Sequence, residues 1–94
     1  LLLQELTHPK EARRYRAART IGRMGAAAGP AVPGLVEALK DPASLVRLHV
    51  VRAFGAIGEA SKPALPDLIR VLNNDPDPEV RKEVSLTLSR LPGR

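Results

Sequence analysis

The sequence predicts an all-α protein, an α-solenoid of stacked antiparallel helix pairs, and three observations carry that prediction. The 94 residues repeat themselves at an interval of 33, apolar residues recur at helical spacing between Gly and Pro residues at matching offsets, and aromatic residues make up only 2% of the chain. With Tyr15 and Phe54 as the sole aromatics, the core must be built from Leu, Val, Ile and Ala in closely approaching helices. A thick single core around large rings is excluded.

A shift of 33 superposes eleven identities across residues 8–39. Pro9 falls on Pro42, Arg14 on Arg47, Arg19 on Arg52, Gly22 on Gly55, Gly25 on Gly58 and Ala27 on Ala60. Pro30 falls on Pro63, Ala31 on Ala64, Pro33 on Pro66, Leu35 on Leu68 and Leu39 on Leu72. A third, partial copy follows at a shift of 34, which sets Asp41-Pro42 on Asp75-Pro76, Val46-Arg47 on Val80-Arg81 and Phe54 on Leu88. The expected organisation is one repeat domain over 1–94 with about two and a half to three repeats: a partial unit at 1–7, repeats at 8–40 and 41–74, and a partial unit at 75–94.

Helices are expected near 2–7, 10–24, 32–40, 43–58, 65–73 and 78–91. Residues 2–7 qualify because Leu2, Leu3 and Leu6 align with Leu35, Val36 and Leu39. The first helix of each pair, helix A, shows its stripe best in the second copy, where Val46, Val50, Phe54 and Ile57 recur at four, four and three residues. Asp41-Pro42 and Ser44 mark its start, and Gly55 and Gly58 its end. In the first copy the matching stripe is Ala17, Ile21 and Met24. After a short linker, Pro63 and Pro66 open helix B, where a missing N–H costs little, and Leu65, Leu68, Ile69 and Leu72 form its apolar face. Neither helix hides its stripe alone, so stacking the pairs is what creates a core.

The punctuation and packing residues together resemble a known family. Asp75-Pro76-Asp77-Pro78-Glu79-Val80-Arg81 opens helix A, Ala53-Phe54-Gly55-Ala56-Ile57-Gly58 closes it, and Ala31-Val32-Pro33-Gly34-Leu35-Val36-Glu37-Ala38-Leu39-Lys40-Asp41 forms helix B and its turn. This is similar to the HEAT repeat, in the bacterial subtype also found in phycobilin lyases. The Thr-Pro-Leu-His segment of ankyrin repeats and the Trp and Tyr spacing of tetratricopeptide repeats are absent. The resemblance implies a structural ladder between repeats formed by a turn Asp and a helix-A Arg, which here are Asp41, Asp75, Arg47 and Arg81. His8 replaces Asp in the first copy, and Arg13 stands where the later copies have Val46 and Val80.

The same resemblance implies A helices on the convex side and B helices on the concave side. Exposed B positions would then be Leu1, Gly34 and Asp67 in one row and Gln4, Glu37 and Arg70 in the next, a small, charge-balanced surface suited to a protein segment. Glu37 and Arg70 could pair across it.

The chain carries a formal net charge of +5, unevenly spread: residues 1–47 hold eight basic and four acidic side chains, residues 48–94 seven and six. Counting 100° per residue, Arg16, Arg19 and Arg23 share a narrow arc of the first A helix and form a basic ridge, which fades through His49, Arg52 and Ala56 to Glu83, Leu86 and Arg90. A nucleic-acid surface would need basic side chains recurring through the repeats, and stacking aromatics would help it. Nucleic acid or another anionic surface is therefore the alternative partner, ranked below another protein or a neighbouring domain.

No catalytic constellation is present. The chain has no Cys, its hydroxyl residues lack a nearby His and acid, and Gly22-x-x-Gly25 reads as a helix stop. His8 and His49 occupy different repeat positions and are expected to be solvated, and Asp75 and Asp77 read as turn and N-cap groups. No enzyme activity, metal or cofactor is expected, with a component of a phycobilin lyase as a second alternative resting on the resemblance alone. No apolar run reaches the length of a membrane span. Cys usage leaves the compartment open, with the cytoplasm the default. The chain is expected to be a stretch of a longer array, with Leu2, Leu3 and Leu6 at one end and Val84, Leu88 and Leu91 at the other only half covered and able to bury against another copy.

Overall fold

The computed structural model describes residues 2–91. Six α-helices follow in order: α1 Leu2–Glu5, α2 Glu11–Arg23, α3 Val32–Ala38, α4 Ser44–Ile57, α5 Leu65–Asn74 and α6 Pro78–Arg90. Helices α2, α4 and α6 are the A helices and lie side by side, while α1, α3 and α5 are the B helices, packed on α2, α4 and α6. The fold is thus the all-α stack that the repeat predicts, and Leu1 and 92–94 lie outside the described residues.

The A-to-B connections are 3-10 helices, Gly25–Ala31 and Gly58–Ala64, where the sequence suggests a plain linker. Gly25 and Gly58 reverse the chain at φ of 60° and 80°, a region closed to most side chains. Each 3-10 segment carries a Pro, Pro30 or Pro63, and the two segments pack on one another. Pro33 and Pro66 then sit in the first turns of α3 and α5. Ser61 donates from its hydroxyl to the Phe54 carbonyl at 2.8 Å, a second bond to a carbonyl that the Gly58 N–H also meets at the end of α4.

Gly22 and Gly55 do not stop their helices. Both lie inside them and allow close approach: a Cβ on Gly22 would stand 3.2 Å from the Ala53 Cα, and one on Gly55 would stand 3.5 Å from Thr87. Thr87 is wholly buried between α6 and α4 and donates to the Val51 carbonyl at 3.3 Å. A thin core follows from this spacing, with Phe54 its largest fully buried side chain and Ile21, Leu35, Leu68, Val46, Val50, Val80 and Val84 also fully buried or nearly so.

Among the described residues the first and last units have a neighbour on one side only, and there the packing departs from that of the internal repeat. Met24 is 48% exposed whereas its equivalent Ile57 is 2% exposed, because a full preceding repeat covers only the second. Arg13, where later copies bury Val46 and Val80, is exposed and bonds Glu5 of α1 at 2.7 Å. Leu2 and Leu3 are exposed, but Leu6, Val84 and Leu91 are buried and Leu88 is half-buried, so those ends are better covered than the register suggests.

Candidate functional site

The turn before each A helix is built alike. Asp41 accepts the Ala43 N–H at 2.9 Å and Asp75 accepts the Asp77 N–H at 2.9 Å, while His8 does the same with Nδ1 for the Lys10 N–H at 3.0 Å. His8 therefore replaces the turn function of the aspartate but not its charge. Asp77 adds an N-cap to α6 by accepting the Glu79 N–H at 2.8 Å, and this bond is the main cause of a pKa below the usual carboxylate range.

From these turns the interrepeat ladder is assembled. Arg14 donates from Nε and Nη2 to the two carboxylate oxygens of Asp41 at 2.8 and 3.2 Å, and Arg47 donates likewise to Asp75 at 2.8 and 3.2 Å. Each guanidinium also donates from Nη1 to backbone carbonyls of its own turn: His8 and Pro9 for Arg14, and Asp41 for Arg47 at 2.7 Å. The hydrogen bond to Asp41 pushes the Arg14 pKa up, against the opposing effect of burial. Arg14 was missing from the ladder that the family resemblance implies, although its alignment on Arg47 is the signal that locates it. Arg81 reaches its own turn at the Asp75 carbonyl, and among the described residues no carboxylate meets it.

On the B-helix face two serially equivalent grooves lie one repeat apart. One, of about 460 Å³, runs between the α1 turn and α3 and is lined by Leu6, Gly34, Glu37, Ala38 and Lys40 among others. The next, of about 220 Å³, runs between α3 and α5 over Val36, Leu39 and Val71, with Lys40, Asp67, Arg70 and Asn74 at its rim. Gln4 and Glu37 are exposed, Gly34 and Asp67 are half-buried, and Arg70 is exposed; Leu1 lies outside the described residues. Glu37 and Arg70 do not pair. Arg70 bonds Asp67 at 2.9 Å and Lys40 stands 3.6 Å from Glu37, because neighbours at i,i+3 on one helix are nearer than a side chain across the groove. The outcome is an apolar floor edged by two cations and two anions. Lys40, absent from the sequence-derived set, belongs to both grooves.

On the A-helix face, Arg16, Arg19 and Arg23 are exposed, and among the described residues none forms an ion pair. Arg19 and Arg23 line a groove of about 230 Å³ with His49 and Arg52, floored by Ala18, Gly22, Ala53 and Ala56. Arg52 approaches Glu83 at 3.2 Å, which ends the positive strip. His49 is half-buried rather than solvated: its ring stacks on Tyr15 with centroids 5.4 Å apart. Burial chiefly, then Arg52 and Arg19, push its pKa down.

Among the described residues no cluster of three or more His, Asp and Glu side chains could hold a metal, and no helix is long and apolar enough to cross a membrane. A family model for HEAT repeats matches residues 1–89. No curated protein and no solved structure matches.

Proposed function

This chain belongs to the HEAT-repeat family, and we propose that it acts as a non-enzymatic protein-binding scaffold whose B-helix face receives a segment of another protein or a neighbouring domain. HEAT repeats generally mediate protein–protein interaction or scaffolding. The observation that carries the reading for this chain is the pair of grooves at one-repeat spacing, apolar below and charge-balanced at the rim through Glu37, Lys40, Asp67 and Arg70. Such a surface rewards a peptide with alternating apolar and charged groups and offers a polyanion little. Gln4 and Gly34 extend the same face toward α1. Photocrosslinkers placed at Glu37 and Arg70 should capture one common protein, and Arg70→Glu should abolish the adduct. Adducts only from positions 16, 19 or 23 would refute the reading.

The second reading, an anionic partner, is favoured by one observation: Arg19, Arg23 and Arg52 converge on a single groove of the A face. Duplex DNA or RNA should then bind at low salt, weaken steeply as salt rises, and be lost on combined Arg16→Ala, Arg19→Ala and Arg23→Ala. Absence of binding at low salt removes it. The phycobilin-lyase subtype is supported only by the Asp-Pro-x-x-x-Val-Arg signature at Asp41 and Asp75, and a shift of bilin absorbance on adding the protein would test it.

A further inference from the structure

Arg52 and Glu83 form an interrepeat pair on the A-helix face between α4 and α6, at 3.2 Å, and the preceding junction repeats it without the acid. The shift of 33 sets Arg19 on Arg52 and the shift of 34 sets His49 on Glu83, so between α2 and α4 the aligned pair is Arg19 and His49. Both line one groove, together with Arg23 and Arg52. Burial first, then the charges of Arg52 and Arg19, hold the His49 pKa below 6.5, so in mildly alkaline solution the ring is uncharged. Where the next junction has an anion, this one has a neutral side chain. Among the described residues no carboxylate meets Arg19 or Arg23. Both helices of this junction lie within the described residues, and the missing counter-charge is a property of the residue at position 49.

We propose that the groove between α2 and α4 binds a phosphorylated serine or threonine side chain of another protein, its phosphate received by Arg19, Arg23 and Arg52 where an acidic residue stands one junction later. Charge fixes the class of group. Three arginines less the one charge of Glu83 leave two, and a phosphate monoester carries about two near neutral pH, whereas a carboxylate or a phosphodiester carries one. The floor fixes what bears the phosphate. Ala18, Gly22, Ala53 and Ala56 offer no side-chain donor or acceptor, so the hydroxyls and ring nitrogens of a phosphorylated metabolite gain nothing there. The short apolar stem of a phosphorylated side chain asks for nothing, and about 230 Å³ is room for one such group.

The second reading puts an anion in this groove, and the proposal rests on that placement while changing the occupant. A nucleic-acid backbone needs the positive strip to continue, and the strip stops at the next junction, where Glu83 already meets Arg52. Nor does the ridge act as a unit. Arg16 lies over the Tyr15 ring at 6.0 Å and does not line the groove that Arg19 and Arg23 share. A single dianion uses the three converging arginines as they stand, and the scaffold reading, which concerns the B-helix face, is untouched by the outcome.

The test is an NMR titration of the isotope-labelled chain at about pH 7.5 and low salt. The probes are a Gly-Ala peptide with one central phosphoserine, its unphosphorylated form, inorganic phosphate and duplex DNA. The phosphopeptide should move the Nε–H resonances of Arg19, Arg23 and Arg52 and bind about tenfold or more tightly than its unphosphorylated form. His49→Glu supplies the missing acid from within, so it should abolish this binding without removing an arginine, and Arg19→Gln, at an exposed position, should lose it by removing the donor. His49→Gln should bind within about twofold of the native chain, because the neutral ring adds no charge. Circular dichroism confirms that each variant is folded. Retained binding in folded His49→Glu or Arg19→Gln overturns the proposal, as does an equal loss in His49→Gln. Inorganic phosphate binding as tightly as the phosphopeptide would make a free phosphate the occupant and overturn the choice of a protein segment. No phosphopeptide binding overturns the proposal, and duplex binding in that case leaves the second reading standing. Phosphopeptide binding without duplex binding supports the proposal and removes that reading.

Discussion

Arg47 and Asp75 are joined by two hydrogen bonds, Nε to Oδ2 at 2.8 Å and Nη2 to Oδ1 at 3.2 Å, across the boundary between the second and third repeats. Their side chains are 11% and 4% exposed, so the pair is removed from water, and Asp75 simultaneously holds its own turn through the Asp77 N–H. One carboxylate therefore fixes both the start of α6 and its position against α4. Losing it leaves a buried guanidinium and a backbone donor without their acceptor.

Asp75→Ala is accordingly expected to cost about 3 kcal/mol, the range for breaking one partner of a buried pair. In a chain of this size that lowers the thermal midpoint by roughly 4–8 °C per kcal/mol. A double-mutant cycle with Arg47→Ala should show a large coupling, and additive effects would mean that the two residues act separately.

The two contact glycines should respond differently. Gly55→Ala sets a Cβ at ordinary contact distance from Thr87, so the gain in helix propensity, about 0.5–1 kcal/mol, should prevail and stabilise the protein. Gly22→Val forces a branched side chain against the Ala53 backbone at 3.2 Å and should destabilise by about 1–3 kcal/mol. Urea unfolding of both variants checks the opposite signs.

Leu68 and Leu72 share one face of α5 but differ in cover. Leu68 is fully buried, so Leu68→Ala should cost about 2–5 kcal/mol. Leu72 is half-buried, and Leu72→Ala should cost clearly less. Equal costs in chemical denaturation would show that the α5–α6 end is covered in solution.

His49 supplies a pH dependence. Its folded-state pKa lies below the usual 6.5, so the unfolded chain binds the proton more readily. The stability it contributes is fully present above about 6.5 and is lost as pH falls below that value toward the folded pKa. The groups facing it set this sign: the Tyr15 ring buries it, Arg52 and Arg19 repel its charged form, and Glu83 opposes them weakly. Thermal midpoints measured from pH 7.5 to 5.5 should fall for the native chain and flatten in His49→Gln. Asp77, with its pKa lowered, adds a separate loss only below the usual 3.8, as its carboxylate protonates.

The sequence by itself determined the fold class and the six helices of the described residues to within a residue or two, because a repeat states its punctuation more than once. Pro33 and Pro66, like Gly25 and Gly58, act through local backbone geometry, and local geometry is readable from residue type. What needed the tertiary structure was every property that depends on a neighbour in space. Gly22 and Gly55 look like stops until Ala53 and Thr87 are seen against them, and Met24 looks like core until the missing neighbour on its outer side is seen. On the B-helix face, residue types showed a balance of charge, but the choice of Asp67 over Glu37 as the partner of Arg70 depends on distances set by packing. The direction of the ladder was likewise invisible in one dimension. Alignment puts Arg14, Arg47 and Arg81 in one column, and only the stacking of α2, α4 and α6 decides that Arg14 and Arg47 each donate forward, to the Asp of the following turn.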